Sequence, residues 1–234
     1  MAGKIYKANA AKVERTKRYT LDEALGVLDT FQNRKFDESV EIAIRLGVDP
    51  KQSDQMVRGA AVLPHGIGKA IRVVAIVRGD AEKEARDAGA DFVGNDDLIE
   101  KIAGGWMEFD RVLTTPEVLK DLTKVAKVLG PKGLMPNKKT GTVTGEIGKA
   151  VKEQKLGKVE FKVEKEGIIH TLIGKKSFGA AKLKDNFMTL FDHILKAKPA
   201  TSKGVYVRKV AISPTMGPSL ILDHSALVNA AQAL

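Results

Sequence analysis

The first strong periodicity along the chain is helical: Leu21, Ala24, Leu25, Leu28 and Phe31 recur on one face. Thr20-Leu-Asp-Glu23 has the spacing of a capping box, in which a hydroxyl and a carboxylate satisfy the orphan amides of a helix start. A helix is therefore expected from Thr20, fading at Asn33-Arg34. From Ser39 the period drops to two. Val40, Ile42, Ile44 and Leu46 alternate with Glu41 and Arg45, the pattern of a half-buried strand that ends at Asp49-Pro50. Residues 71–77 form an almost unbroken apolar run, as expected of a parallel-sheet strand covered on both faces. Short helical and strand-like segments then alternate: 81–88, Phe92-Val93, 97–103, 111–113, and 116–129 with Pro116 in a first helical turn. That alternation predicts a small three-layer α/β unit.

A Gly, Pro and Lys-rich loop over 130–142 leads to a short helix at about 145–154. Val159, Phe161 and Val163 restore the period of two, and Glu166-Gly167 suits a hairpin turn into 168–173. The best helix runs over 177–196, with Phe178, Leu183, Phe187, Leu190, Phe191 and Ile194 on its apolar face and Lys196, Lys198 and Pro199 at its close. Residues 205–212 and 219–222 are the last strand candidates. The strand around Val40 has no partner nearby in sequence, and the next alternating segments begin near Val159. An isolated strand is not stable, so the two ends of the chain are expected to pair. The result is a discontinuous two-domain protein: an α+β first domain from residues 1–67 and 160–234, and an inserted α/β domain at 68–159. The crossings near Gly66–Gly68 and Gly157 could act as a hinge.

Composition narrows the class. Of 234 residues, 43% are hydrophobic and 29% charged, an ordinary balance for a folded chain, and no apolar run approaches the roughly 20 residues of a bilayer span. The net charge of +10 suits a polyanionic partner, leaving RNA, DNA and anionic membrane open. The excess is spread along the chain and not gathered in a tail. With no cysteine, disulfides, thiolate metal sites and cysteine nucleophiles are excluded, which fits a reducing cytosol. Residues 4–18 carry six basic side chains and Glu14 without an apolar core, so they are not a secretory signal. They read as a solvated, partly disordered arm or as an arm that touches phosphate.

Few motifs ask for chemistry. Gly66-Ile-Gly68-Lys69 and Gly174-Lys-Lys-Ser177 both fail the spacing of a phosphate-binding loop, and no G-x-G-x-x-G occurs. His65, His170, His193 and His224 are scattered, without metal-ligand spacing, and no Gly-x-Ser-x-Gly elbow is present. No cofactor is expected. Two segments do need explaining. Ser213-Pro-Thr-Met-Gly-Pro218 interrupts a strand pattern, either as an ordinary tight turn or as a place where small residues admit another backbone. Arg34-Lys-Phe-Asp-Glu-Ser39 puts Phe36 in a polar link, where it could anchor the core or offer a flat apolar contact to a nucleotide.

At these residues the chain resembles the L-one family of bacterial large-subunit ribosomal proteins, the proteins of the mobile stalk. The likeness is carried by Lys35–Glu41, Val57-Arg-Gly59 with Leu63–Lys69, Gly130–Lys138, Gly174–Phe178 and Thr215–Pro218, in family order and spanning most of the chain. It implies a first domain built from both chain ends, with a sheet carrying helices on one side, and a Rossmann-like insert. It also implies a non-enzymatic protein of the cytoplasmic ribosome, monomeric when free. Its partners would be a structured region of large-subunit ribosomal RNA, a similar fold in its own operon messenger RNA, whose translation it represses, and exit-site tRNA. No membrane partner is implied. Carried over residue by residue, the RNA surface falls on Lys35, Phe36, Ser39 and Glu41 and on Lys175, Ser177, Thr215, Met216 and Gly217. Glycine and small side chains let backbones meet, hydroxyls bond 2′-OH groups or phosphates, and lysines neutralise charge. Glu41 fits beside an anion only as an acceptor from a 2′-OH or as an orienting group. In the insert, Lys132, Lys138 and Lys139 offer a second nucleic-acid contact or a solvated loop. The rival readings are a nucleotide-dependent enzyme using the α/β insert and a general DNA-binding protein.

Overall fold

A computed structural model of the chain describes residues 3–232. Its helices are α1 (Lys4–Ala10), α2 (Leu21–Asp29), α3 (Asp80–Asp87), α4 (Asp96–Ala103), α5 (Ala126–Leu129), α6 (Ile147–Leu156), α7 (Gly179–Lys196) and α8 (His224–Gln232). Its strands are β1 (Ser39–Leu46), β2 (Arg58–Val62), β3 (Val73–Ile76), β4 (Phe92–Gly94), β5 (Arg111–Thr114), β6 (Lys158–Lys162), β7 (Ile168–Lys175), β8 (Val207–Pro214) and β9 (Leu220–Leu222). The chain divides into two compact units, one drawn from residues up to Gly68 together with those from Val159 on, the other running Lys69–Lys158.

In the first unit β1 finds both its neighbours at the far end of the chain. The sheet order is β7-β1-β8-β9, and every pairing is antiparallel. Ile42 stands opposite Thr171 on one side and Ile212 on the other. The two-residue period explains the layering. Val40, Ile42, Ile44 and Leu46 are buried in one core with Leu25 and Leu28 of α2 and Phe187, Leu190 and Phe191 of α7. Glu41, Arg45, His170 and Lys209 are exposed on the opposite face of the sheet. Thr20 Oγ1 accepts from Glu23 N at 3.3 Å and Glu23 Oε2 accepts from Thr20 N at 3.0 Å, so the capping box starts α2 where its spacing predicts. α7 begins two residues later than expected, because Lys176–Phe178 is a 3-10 turn.

The second unit is a parallel sheet of order β4-β3-β5. Val74 and Ile76 face α4 and its neighbours Leu122 and Val125 in one apolar cluster, while α3 and α6 pack on the other face. The apolar run at 71–77 is thus buried on both sides, apart from exposed Arg72. The helix expected over 116–129 is a 3-10 segment at Val118–Val125 that becomes α-helical only at α5. Within it the Thr123 hydroxyl donates to the Lys120 carbonyl at 2.6 Å, a bond to the i−3 position that suits the tighter turn.

The segment expected as a partly disordered arm instead contains α1, docked by specific bonds. Buried Asn9 accepts through Oδ1 from Gln32 N at 2.9 Å, Lys12 Nζ donates to the Thr30 carbonyl, and Glu14 N donates to the Tyr19 hydroxyl at 2.8 Å.

Candidate nucleic-acid interface

β1 starts, and β7 and β8 end, at the same edge of the larger sheet, so antiparallel pairing alone brings three distant segments together. Ser39 pairs with Lys175, and Val40 with Pro214. A register shift at Val40/Glu41 sets Val40 against Gly174 and Glu41 against Leu172, leaving Ile173 as an extra residue in β7. The bulge bends the strand end and redirects the residues after it.

The joint between the segments is hydrogen-bonded. Thr215 Oγ1 accepts from Ser39 N and donates to the Ser39 carbonyl, both at 3.1 Å, and Thr215 N donates to the same carbonyl at 3.0 Å. Lys175 Nζ donates to Ser39 Oγ at 2.9 Å. Ser177 donates through N and Oγ to the two oxygens of Asp37, at 3.2 and 2.6 Å. Met216 N donates to Oε1 of Glu38 at 2.9 Å, and Arg34 donates to the Met216 carbonyl at 3.2 Å. Lys176 reaches back to the Phe31 carbonyl and to Asn33 Oδ1, at 2.6 and 2.7 Å. Gly217 closes the turn, and a Cβ there would sit 2.4 Å from Pro214 Cγ, so no other residue fits without moving Pro214.

The result is a ring of bonds that presents two apolar side chains. Phe36 and Met216 are 54% and 51% exposed, although both are large hydrophobics. Phe36 therefore is not a core anchor. Beside it a cleft of about 580 Å³ is lined by Lys35, Phe36, Asp37, Lys176 and Ser177 among others. Exposed Lys35 and half-buried Lys175 bring cationic ends here, while Glu38 turns its carboxylate inward at 3% exposure. Fixed amides and cations around flat apolar groups can take a phosphodiester backbone and the faces of unstacked bases.

Of the residues expected here, Lys35, Phe36, Ser39, Lys175, Ser177, Thr215, Met216 and Gly217 gather at this edge. Glu41 lies on the exposed face of β1, opposite Ser213 and next to the edge, not in the ring. The hydroxyls of Thr215 and Ser177 are spent within the protein, so their part is to shape the surface before any contact. Asp37 and Glu38, which make much of that joint, were not singled out by the sequence. Their only signal is membership of the polar link at 34–39, since an acid in a loop breaks no period.

Lys132, Lys138 and Lys139 lie elsewhere, in the second unit. All three are exposed. Lys138–Thr140 is a 3-10 turn capped by Asn137, whose Oδ1 accepts from Lys139 N at 2.8 Å. Buried Thr140 and Thr142 tie the turn to Asn137. Two of these lysines therefore project from a built turn. Among the described residues no group of His, Asp and Glu is arranged to hold a metal, and no helix is long and apolar enough to cross a membrane.

Residues 28–218 match the model of the ribosomal protein L1p/L10e family. The chain is 56% identical over 226 residues to the large ribosomal subunit protein uL1 of Bdellovibrio bacteriovorus, covering 97% of each chain. It is 52% identical over 225 residues to the protein of the same description from Solidesulfovibrio magneticus, covering 96% of each.

Proposed function

Because the chain belongs to the ribosomal protein L1p/L10e family, whose members are structural proteins and not enzymes, we propose that it is a component of the large ribosomal subunit that holds ribosomal RNA at the edge formed by Lys35–Ser39, Lys175–Ser177 and Thr215–Gly217. The observation that carries this is the exposure of Phe36 and Met216 beside a ring of bonded loops, with the exposed side chain of Lys35 next to them. Leaving a phenyl ring and a thioether in water gains nothing for folding, but both offer stacking and apolar contact to bases. Recognition would follow RNA shape more than base identity, since the surface is mostly backbone, small residues and lysine.

The test is a salt titration of binding to a short stalk-region fragment of large-subunit ribosomal RNA, beside an unrelated RNA of equal length. Tighter binding of the fragment that persists at moderate salt is the expected result. If both RNAs fade along one steep slope, the binding is counterion release alone, and the proposed interface is wrong.

Three finer readings rest on the family likeness. The same edge would take a similarly folded segment of the protein's own messenger RNA and so repress its translation. The protein would move with exit-site tRNA as it departs. Lys132, Lys138 and Lys139 would give the second unit a weaker contact with nucleic acid, supported by the exposure of all three and by the hydrogen-bonded turn that carries Lys138 and Lys139.

A further inference from the structure

Behind the proposed RNA edge the chain makes a second set of contacts that no RNA residue explains. The segment His65–Gly68, which leads out of the first unit, is tied to the end of β7 in two ways. The first is Asn186 of α7, fully buried. Its Nδ2 donates to the Gly66 carbonyl at 2.9 Å and to the Ile173 carbonyl at 2.8 Å, and its Oδ1 accepts from His65 N at 3.0 Å. Ile173 is the bulged residue that sets the register of Gly174 and Lys175. A single amide side chain thus links the outgoing segment to the bulge.

The second tie is the ring of Phe178, wedged between two glycines. A Cβ at Gly68 would lie 3.0 Å from the ring and 2.7 Å from Lys175 Cγ, and a Cβ at Gly174 would lie 2.9 Å from the ring's other edge. Both glycines have positive φ, 70° and 151°. The stem of Lys175 and the residue following Ser177 therefore rest directly on the outgoing backbone. From those positions Lys175 Nζ reaches Ser39 and Ser177 reaches Asp37.

We propose that His65–Gly68 is the positioning layer of the RNA interface, and that the interface and this segment are coupled. Moving the segment displaces Lys175 and Phe178, and occupying the edge with RNA holds the segment still. Coupling between two sites is reciprocal, so either effect implies the other. The inference rests on the reading of Lys175–Ser177 as part of the RNA edge.

The test compares four variants by binding to the same ribosomal RNA fragment across salt, with melting checked by circular dichroism. Gly68→Ala should weaken binding on the order of tenfold and lower the salt slope by no more than Lys175→Ala does, because Lys175 is displaced but keeps its charge. Lys175→Ala should lower the slope by about one. Gly79→Ala is the control for backbone strain: Gly79 has φ 65° with nothing within 4 Å of its added Cβ, so RNA binding should stay at the wild-type level. Met216→Asp tests the edge itself. Wild-type affinity in Gly68→Ala overturns the coupling. If Lys175→Ala and Met216→Asp also bind as wild type, the RNA edge and the coupling fall together. Should Gly68→Ala not fold, amide exchange on the wild-type chain decides: RNA should slow exchange across residues 65–69, and unchanged exchange there overturns the inference.

Discussion

Thr215 and Gly217 share one turn for different physical reasons. Thr215 closes a reciprocal pair of bonds with the backbone of Ser39, and Thr215→Val should cost about 1 kcal/mol of stability while weakening RNA binding through a looser turn. Denaturant midpoints and RNA titration on one preparation would separate the two losses. Gly217 is needed for space, so the lysines and small residues legible in the sequence are only half of the site. Asp37 and Glu38, which hold the loops, were illegible because their partners, Ser177 and Met216, lie 140 and 178 residues further along the chain. A buried polar group can also be a defect. Gln154 of α6 is fully buried, and neither its Oε1 nor its Nε2 has a hydrogen-bond partner in the structure. Gln154→Met, of similar shape, should raise stability by about 1 kcal/mol, read as a higher denaturant midpoint. In the same unit, the Lys69 ammonium, with help from the Arg72 backbone and guanidinium, holds the Asp110 carboxyl at about 2, below its usual 3.8. A lowered pKa means stability that is present above the unfolded value and lost as pH falls towards the folded one. The melting temperature of Asp110→Asn should therefore lie below that of wild type at neutral pH, with the gap narrowing between about pH 4 and pH 2.

Among the elements, α7 is the one whose sequence and packing agree most fully. Phe187 and Phe191, stacked with centroids 5.7 Å apart, are completely buried. Phe187→Ala should cost about 3–5 kcal/mol, measurable by denaturant unfolding, and a loss below 1 kcal/mol would mean that this face is not central to the core. Elements with weak patterns escaped the sequence reading. β2 is Arg-Gly-Ala-Ala-Val, without alternation or β-branched residues before Val62, and it exists because β6 pairs with it. α1 is only seven residues long, too short to form by itself, and it is held by Asn9 against Gln32. α8 is preceded by Asp223, whose Oδ1 accepts from Ser225 N at 3.0 Å in the manner of an N-cap.

For the whole molecule, two separate apolar clusters serve two units, and only the second unit is continuous in sequence. A fragment of residues 69–158 should therefore fold cooperatively when produced alone. Residues 1–68 should not, because β1 would lack both β7 and β8. Circular dichroism melting of the two fragments checks this, and a cooperative transition in the shorter one would contradict the pairing argument.

The sequence by itself determined the period of each strong element, the class of each layer, the absence of cysteine chemistry and a basic balance that suits a polyanionic partner. It also placed the chain-end pairing, because a lone alternating strand around Val40 needs partners and none lies nearby. Only the tertiary structure decided which loops meet, since the antiparallel register puts Ser39 beside both Lys175 and Pro214. It also decided which hydroxyls and acids are spent inside the protein and which side chains stay in water. Periodicity is local and reports which face of an element is buried. Convergence of loops depends on register between segments far apart in the chain, and no local pattern encodes it.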